Sequence, residues 1–464
     1  MAENMKNNGC SQRDSAEHEG YAKVSRSFNR IWKERDSAQP KLLEAILYKD
    51  NFNRAYKRVK ANKGAPGIDG MTIEEALSYL KEHQQELTDR IYRGKYTPSP
   101  VRRVEIPKAD GGIRKLGIPT VIDRILQQAI AQQLMPIYEP LFTGGSFGYR
   151  PNKSAKDAIL KVKEYAEQGY TYAVVLDLSK YFDTINHELL LNLLRKNVKD
   201  ERVVQLIKRY LKSGVLENGV VIETEEGSPQ GGNLSPLLAN IYLNEFDQEF
   251  LKRGVPVVRY ADDIVLLAKS KRASERLLES SIKYLEGKLK LTVNREKSRT
   301  VSVFAIRNFK FLGFALGRNG NGIFARVHSK SLKKFKTELK ELSSRRRVQS
   351  IKPSLEKIKI YARGWLNYYG IASMKNNIDE INGWLYHRIR MCIWKQWKKP
   401  KTKVRNLLKM GVPKDLAWQA GNSRRGYWFT SQTVAVKMAM TKERLIHSGF
   451  YDLATAYQSV HVNY

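Results

Sequence analysis

The chain has 464 residues, 42% of them hydrophobic, which is enough to bury several cores and predicts two or three subdomains. It carries 82 Lys and Arg against 47 Asp and Glu, and the formal charge of +35, far beyond what solubility requires, implies a polyanionic partner. With only Cys10 and Cys392, a disulfide framework or a cysteine-built zinc site is excluded.

The first twenty residues are polar and mixed in charge, without the apolar core of a signal peptide. No run approaches the roughly 20 apolar residues that span a bilayer, so no membrane partner is expected. The sequence therefore predicts a cytoplasmic protein in which Cys392 is a buried packing thiol.

The N-terminal part predicts two helices after an irregular start. Residues 1 to about 40 lack sustained periodicity and are expected to be flexible. The apolar spacing from Leu42 to Val59 is helical, and Lys63–Gly70 has the composition of a turn. Thr72, with Glu75 three residues later, predicts a capping box that opens another helix. By themselves these patterns describe only a helical hairpin.

The segment from Ile106 to Arg114 predicts a β-hairpin. Lys108 and Arg114 flank a glycine-bearing turn, which brings both cations to one end of the hairpin. Such an end can hold a triphosphate, with Lys as a point charge and Arg as a fork. An ordinary basic hairpin is the alternative.

Three aspartates at strand ends are the most informative feature. Asp262 and Asp263 lie between two short apolar runs that predict paired strands, and Asp177 ends the apolar run from Ala173. Neighbouring carboxylates at a sheet edge require cations, and such hard oxygen ligands suit Mg²⁺. An Asp-Asp pair alone is more often a solvated hairpin corner. Asp177 shifts the balance towards two-metal nucleotidyl transfer, which needs ions roughly 3.5–4 Å apart.

Charge and aromatic residues coincide near the C-terminus. Residues 330–410 hold 22 Lys or Arg and 5 Asp or Glu, a surplus of +17, and six of the seven Trp lie in the last hundred residues. Bases stack on aromatic faces while cations track phosphates, so the combination suits RNA. Helical spacing of apolar residues from Ile378 to Trp397 assigns at least half of these rings to packing.

Seven ordered motifs resemble the reverse transcriptases encoded by bacterial group II introns, from about residue 41 to about 450. They are Ile106-Pro107-Lys108, Leu116–Thr120, Ser146–Asn152, Asp177–Asp183, Gly227–Pro236, Tyr260-Ala261-Asp262-Asp263 and Phe311–Phe314. The resemblance implies an α/β right-hand polymerase, with fingers and palm of the reverse transcriptase type and a helical thumb that doubles as the maturase domain. Tyr361–Tyr369 matches the maturase signature.

The resemblance also implies roles for individual residues. Asp177, Asp262 and Asp263 are the expected catalytic residues and ligands of two Mg²⁺ ions, which Mn²⁺ can replace, with the Leu178 carbonyl sharing part of the coordination. The expected dNTP contacts are Lys108, Arg114, Phe182, Gln230 and Lys297. Phe182 matches the aromatic ring beneath the sugar that excludes a ribose 2′-hydroxyl, although Tyr181 could take the exposed side instead. The expected nucleic-acid contacts are Lys63, Arg150, Arg345, Arg346, Arg347, Arg363, Trp365 and Tyr368.

The implied domain organisation has six parts. They are a flexible extension (1–40), an RNA-binding helical extension (41–89), fingers (90–170), palm (171–315), thumb or maturase domain (316–410) and a small DNA-binding region (411–464). Past residue 411 there are two histidines and no cysteine, so the paired cysteines of the endonuclease found in many relatives are missing. A second-strand nickase is therefore expected to be absent.

The expected function is RNA-templated DNA synthesis coupled to splicing and retrohoming of a group II intron. The expected partners are intron RNA, an RNA template with a DNA primer, target DNA and dNTPs; a homodimer is possible, and the protein is expected to associate with the nucleoid when it acts on DNA. Two alternatives remain. One is a domesticated reverse transcriptase in defence or repair, and the other is an RNA-binding splicing maturase with an inactive polymerase.

Overall fold

The computed structural model describes residues 41–107, 112–217, 219–229, 231–346 and 350–461. The chain divides into two compact units, of which the N-terminal unit ends at Ser302 and the C-terminal unit begins at Val303. The division falls before the predicted palm–thumb boundary at residue 315. The predicted flexible extension, residues 1–40, lies outside the described residues.

The N-terminal unit is mixed α/β. Its helices are α1 (Leu42–Leu47), α2 (Lys49–Ala61), α3 (Ile73–Tyr92), α4 (Val121–Tyr138), α5 (Ala155–Glu167), α6 (His187–Asn197), α7 (Glu201–Leu211), α8 (Ser235–Lys252) and α9 (Lys271–Gly287). Its strands are β1 (Val101–Pro107), β2 (Ile113–Ile118), β3 (Tyr172–Leu176), β4 (Val215–Glu217), β5 (Val220–Ile222), β6 (Val257–Tyr260), β7 (Asp263–Ala268) and β8 (Arg299–Ser302).

The predicted helix from Leu42 to Val59 is two helices, because the backbone of Tyr48 is extended. The side chain of Asn51 donates to the Ile46 carbonyl at 2.8 Å, which satisfies a group that the break leaves without a helical partner. The capping box at the start of α3 is confirmed, since Thr72 Oγ1 accepts from Glu75 N and the Glu75 carboxylate accepts from Thr72 N.

A four-stranded sheet, in the order β6-β7-β3-β8, carries the candidate site. All its pairs are antiparallel, and its central strands are almost wholly buried because α9 packs against β3, β7 and β8 and α8 packs against β6. A second sheet, β2-β1-β4-β5, contains the predicted hairpin of β1 and β2, with Ile106 opposite Arg114. Burial on both faces fixes the register of the first sheet, since a one-residue slip would turn its side chains over.

The C-terminal unit begins with a hairpin of β9 (Phe314–Asn319) and β10 (Gly322–Val327). The expectation of a helical thumb over residues 316–410 is therefore wrong for its first residues, where Gly320-Asn321 forms the hairpin turn. The helices that follow are α10 (Ser329–Leu342), α11 (Ile351–Tyr369), α12 (Lys375–Gln396), α13 (Pro400–Lys409), α14 (Lys414–Gly421), α15 (Tyr427–Thr430), α16 (Val434–Ala439), α17 (Lys442–His447) and α18 (Leu453–His461).

Candidate functional site

The turn between β6 and β7 presents two carboxylates at the end of the buried sheet. Tyr260 pairs with Asp263, so the turn consists of Ala261 and Asp262, and both aspartates are exposed. Ala261 has a φ of 58°, in the left-handed region that residues with a Cβ rarely adopt. Such strain persists only where the surroundings enforce it, and it is concentrated at functional sites.

Register brings the third aspartate to the same edge. Leu176 on β3 pairs with Ile264 on β7, so the next residue along β3, Asp177, lies opposite Asp263. The backbone of Asp177 is fixed because its N–H donates to Ser298 Oγ at 3.0 Å and its carbonyl accepts from Asn294 N at 2.8 Å. Its carboxylate is partly exposed, with Lys297 Nζ 3.9 Å from Oδ2.

The donors at this edge fit a divalent cation. Carboxylates supply hard oxygens, and the bridge between Leu178 and Val293 uses the carbonyls of Asp177 and Thr292, so the Leu178 carbonyl is not spent on it. Within the described ranges, no three His, Cys, Asp or Glu side chains already stand together as a ligand set. Like charges repel one another until a cation neutralises them, so convergence of the three aspartates requires the ion.

A buried ion pair between Arg259 and Asp247 supports the turn between β6 and β7. Arg259, fully buried on β6, donates to the Asp247 carboxylate of α8 at 2.6–3.0 Å. It also donates to Asn240 Oδ1 at 2.8 Å and to the Ala261 carbonyl at 3.1 Å, within the turn itself. Because Arg259 bonds both Asp247 and the Ala261 carbonyl, this network holds the turn in position. Removing either charge of the pair would leave the other buried without a counterion.

The segment from Gly145 to Arg150 packs against the same turn. Phe147 N donates to the Arg259 carbonyl at 2.8 Å, and Arg259 Nη2 donates to Ser146 Oγ at 2.9 Å. Gly148 lies so close to the turn that a Cβ there would overlap the backbone nitrogen of Ala261. The segment is therefore built onto the edge of β6.

Arg150 does not have the predicted role of a nucleic-acid contact. Its guanidinium donates to both carboxylate oxygens and the carbonyl of Glu139 and to the carbonyls of Thr143 and Ser146. All five N–H groups are used within the protein and the side chain is 6% exposed, so no donor remains for a phosphate. Arg150 instead fixes the segment that supports the aspartate turn.

Tyr149 lies between Gly148 and Arg150 in this segment, has a φ of 57° and is 45% exposed. Burial raises the pKa of its phenol, the charge of Asp262 raises it further, and Arg114 opposes that rise. Tyr149 thus lies within electrostatic reach of both the aspartate turn and the predicted phosphate-binding arginine of β2.

Tyr181 and Phe182 differ in burial. Tyr181 is 3% exposed and its hydroxyl donates to the Ala239 carbonyl at 2.6 Å, so it belongs to the core. Phe182 is only partly buried, in the short 3₁₀ helix Tyr181–Asp183 that follows Asp177. Of the two rings, that of Phe182 is the more exposed.

The other predicted contacts are divided between exposed and undescribed positions. Arg114, Lys297 and Lys63 are exposed in the N-terminal unit, and Arg345, Arg346 and Arg363 are exposed in the C-terminal unit. Lys108, Gln230 and Arg347 lie outside the described residues, so their predicted contacts stay predictions.

Two predicted nucleic-acid contacts, Trp365 and Tyr368, are partly buried in the C-terminal unit. Trp365 stacks on the buried ring of Phe335, with centroids 4.0 Å apart and planes 13° apart. The Tyr368 ring packs on Phe314, and its hydroxyl donates to the Leu312 carbonyl at 3.0 Å. These contacts occupy one face of Trp365 and the Tyr368 hydroxyl, and nucleic-acid binding by the exposed parts of both side chains stays a prediction.

Sequence reasoning missed the anchor formed by Arg259, Asp247 and Asn240. A signal was present, since Arg259 interrupts a run of apolar strand residues that is otherwise suited to burial. A charge at a core position needs a partner, but the chain offers many acidic residues and the sequence does not say which one it is.

Among the residues that the structure describes, no helix is long and apolar enough to span a membrane. Residues 106–316 match the family model of reverse transcriptases (RNA-dependent DNA polymerases). Residues 332–411 match the maturase-specific domain of group II introns.

Protein YkfC of Escherichia coli (strain K12) is 36% identical to this chain, over 60% of the chain and 83% of that protein. The group II intron-encoded protein LtrA of Lactococcus lactis subsp. cremoris is 29% identical, over 77% of the chain and 74% of that protein. A solved structure titled partial Cas6-RT-Cas1–Cas2 complex has 25% identity and a TM-score of 0.35, covering 54% of this chain and 43% of the solved one.

The predicted fold class and family are confirmed by these matches, which place the reverse transcriptase part before the maturase part in the order that the motifs indicated. The chain belongs to the reverse transcriptases of group II introns and is an RNA-directed DNA polymerase that carries their maturase domain.

Proposed function

We propose that Asp177, Asp262 and Asp263 hold two Mg²⁺ ions, which Mn²⁺ can replace, for nucleotidyl transfer onto a DNA primer. The observation that carries the proposal is the register of the sheet, which puts Asp177 opposite Asp263 at an exposed edge whose underlying strands are buried. When bound, the ions activate the primer 3′-hydroxyl and steady the leaving pyrophosphate. The Leu178 carbonyl is available as a further ligand.

The protein's own contribution to the reaction is positioning. The anchor of Arg259 and Asp247 keeps the aspartate turn fixed, so the carboxylates need little rearrangement when the substrate binds. Lys297 balances part of the negative charge of Asp177. Arg114, which is exposed and acts electrostatically on Tyr149 next to the turn, forms with Lys108 and Gln230 the proposed binding set for the incoming dNTP.

Phe182 is the proposed floor beneath the sugar of the incoming nucleotide. Phe182 follows Asp177 by five positions and is partly exposed, whereas Tyr181 is anchored in the core. A bulky ring there collides with a ribose 2′-hydroxyl and favours dNTP over NTP. Replacing Phe182 with Ala should therefore increase ribonucleotide incorporation, measured as the ratio of kcat/KM for one dNTP and the matching NTP.

Intron RNA is the proposed partner of the exposed cations. Lys63 in the N-terminal unit, and Arg345, Arg346 and Arg363 in the C-terminal unit, leave their charged ends in solvent. The proposed roles are template RNA binding for residues 41–89, fingers for 90–170, palm for 171–315, thumb and intron binding for 316–410, and target DNA binding for 411–464. The basic surface supplies affinity while the metal site supplies chemistry.

The test is a comparison of Asp177→Asn with Asp183→Asn. Asp183 is an exposed aspartate in the same segment, but it is the last residue of the 3₁₀ helix Tyr181–Asp183 and does not end a strand. Asp177→Asn should lower primer extension on an RNA template by at least about a hundredfold with intron RNA affinity unchanged, because it removes a metal ligand. Asp183→Asn should extend primers at close to the parental rate.

Extension by Asp177→Asn at the parental rate would contradict the metal assignment. Loss of both extension and RNA affinity would show that the substitution disrupts the fold instead. A parent protein that supports intron splicing but extends no primer would favour the splicing-only alternative.

A further inference from the structure

His187 is a buried histidine that the proposed chemistry does not use. It is the first residue of α6 and is 5% exposed. Its Nε2 lies 2.6 Å from the Gly227 carbonyl. A carbonyl only accepts, so Nε2 carries the proton and donates, which leaves Nδ1 as a bare acceptor. Within the described part of the chain Nδ1 is buried without a hydrogen-bond partner.

Burial lowers the pKa of His187, which favours the neutral imidazole with a bare Nδ1. An unpartnered buried nitrogen costs free energy that an apolar side chain of similar volume would avoid. As a space-filling residue, histidine is a poor choice at this position. What it adds beyond volume is the single hydrogen bond to Gly227.

This bond links His187 to the loop that begins at Gly227, and two backbone hydrogen bonds join the same loop to the segment from Phe182 to Ile185. Ser228 N donates to the Phe182 carbonyl at 2.6 Å, and Gly227 N donates to the Ile185 carbonyl at 2.8 Å. Gly227 has a φ of 89°, and a Cβ there would press on the backbone of Asp183. The start of the loop and the backbone beneath Phe182 therefore form one tightly joined layer.

Ser235, the first residue of α8, holds the other end of this loop segment. Ser228 Oγ donates to Ser235 Oγ at 2.8 Å, and Ser235 Oγ donates to the Pro229 carbonyl at 2.9 Å. Residues 227–229 are thus held at both ends, immediately before position 230. A displacement of Gly227 would therefore be passed to the backbone of Phe182.

We infer that His187 is a positioning residue for nucleotide selection, which holds Gly227 in place and thereby fixes the backbone that carries the Phe182 ring. The inference rests on the proposed role of Phe182 as the floor beneath the sugar. His187 itself touches no substrate. Its effect is on the discrimination between dNTP and NTP and on the KM for dNTP.

Two substitutions separate the hydrogen bond from the volume. His187→Leu fills the space without a donor, whereas His187→Gln retains an amide N–H that can reach the Gly227 carbonyl. The Leu variant should raise the KM for dNTP and lower the dNTP preference by about 3- to 10-fold, the effect of losing one hydrogen bond, with a smaller change in kcat. The Gln variant should restore most of both.

His387→Leu is the matched control. His387 is also buried, and its Nε2 also bonds a backbone carbonyl, that of Trp428 at 2.8 Å, but it belongs to the C-terminal unit. Its replacement should lower the thermal stability without changing the dNTP preference. A general loss of packing would affect the two Leu variants alike.

The deciding experiment measures kcat/KM for one dNTP and its matching NTP on an RNA template, for the parent, both His187 variants, His387→Leu and Phe182→Ala. Relaxed discrimination in Phe182→Ala and His187→Leu, with recovery in His187→Gln, supports the inference. Relaxation in Phe182→Ala alone overturns the inference and leaves the Phe182 proposal standing. No relaxation in Phe182→Ala overturns the Phe182 proposal itself.

Should His187→Leu fail to fold, His187→Asn takes its place. The shorter amide remains polar but does not reach the Gly227 carbonyl. His187→Asn with parental discrimination overturns the inference, and relaxed discrimination relative to His187→Gln supports it.

Discussion

Carboxylates in the two units differ in burial and in hydrogen bonding. Asp262 and Asp263 are exposed at a sheet edge of the N-terminal unit. In the C-terminal unit Asp452 is buried and accepts hydrogen bonds from Asn382 Nδ2 at 2.6 Å, Tyr386 Oη at 3.1 Å and the Thr455 hydroxyl. A carboxylate saturated by the protein supports the architecture, whereas one presented to solvent above a rigid support is available to cations.

Arginines differ in the same way. Arg259 and Arg150 are buried and spend their donors on the protein, while Arg114 and Arg346 are exposed. The cations available for substrate are thus distinguished from structural ones by burial and partners, not by residue type. The following substitutions test that distinction.

The largest effect is expected from breaking the buried pair beneath the aspartate turn. Asp247→Asn leaves the Arg259 charge buried without its counterion, which should destabilise the N-terminal unit by about 3–5 kcal/mol. Primer extension should fall with it, since the turn loses its anchor. Thermal unfolding followed by circular dichroism measures the first effect, and extension well below the melting temperature measures the second.

A double substitution sharpens this test. Asp247→Leu with Arg259→Met removes both charges, so it should be less destabilising than Asp247→Asn while still impairing extension. A double variant that is stable and fully active would show that the pair does not position the catalytic turn.

A smaller effect is expected at Asp452, and it depends on pH. Burial opposes the charge of this carboxylate, but hydrogen bonds from Thr455 and Asn382 prevail and lower its pKa from 3.8 to about 2. A depressed pKa contributes stability above pH 3.8 that is lost as the pH falls towards 2. Asp452→Asn should therefore cost about 1–2 kcal/mol at neutral pH and little at pH 2, measured by urea unfolding at both values. An equal cost at both would contradict the assignment.

The smallest effect is expected from the exposed arginines between α10 and α11. Arg345 and Arg346 are exposed, although the Arg345 guanidinium lies 5.7 Å from the Tyr427 ring centroid. Exchanging both for Gln should make the salt dependence of intron RNA affinity shallower by about 0.7 for each phosphate that is no longer neutralised. Lys336→Gln, which removes a lysine paired with Glu380, is the control. Parallel plots of log affinity against log salt for the arginine variant and the parent would refute a role for these arginines in RNA binding.

Local patterns were enough to place the three aspartates at strand ends and to predict the β1–β2 hairpin, because strand alternation and turn residues act over a few positions. They failed where a residue's role depends on distant partners. Arg150 belongs to a motif that resembles a substrate contact, but Glu139 and three carbonyls take its donors. Trp365 lies in the most basic part of the chain, yet its ring packs on Phe335.

Backbone strain also lies beyond the reach of sequence patterns. Tyr149, Lys180 and Ala261 all have positive φ around the aspartates, although none of them is a residue type that favours that region. Tertiary packing enforces these conformations, as the close approach of Gly148 to Ala261 shows.

Mn²⁺ binding tests the proposed metal site most directly. Electron paramagnetic resonance would count the bound ions in the parent and in the double variant Asp262→Asn/Asp263→Asn. Each protein would be mixed with an RNA template, a primer lacking its 3′-hydroxyl and the matching dNTP. The parent chain should bind two ions, and the double variant should bind neither while retaining its affinity for template and primer. Two ions bound with parental affinity by the double variant would contradict the proposed site.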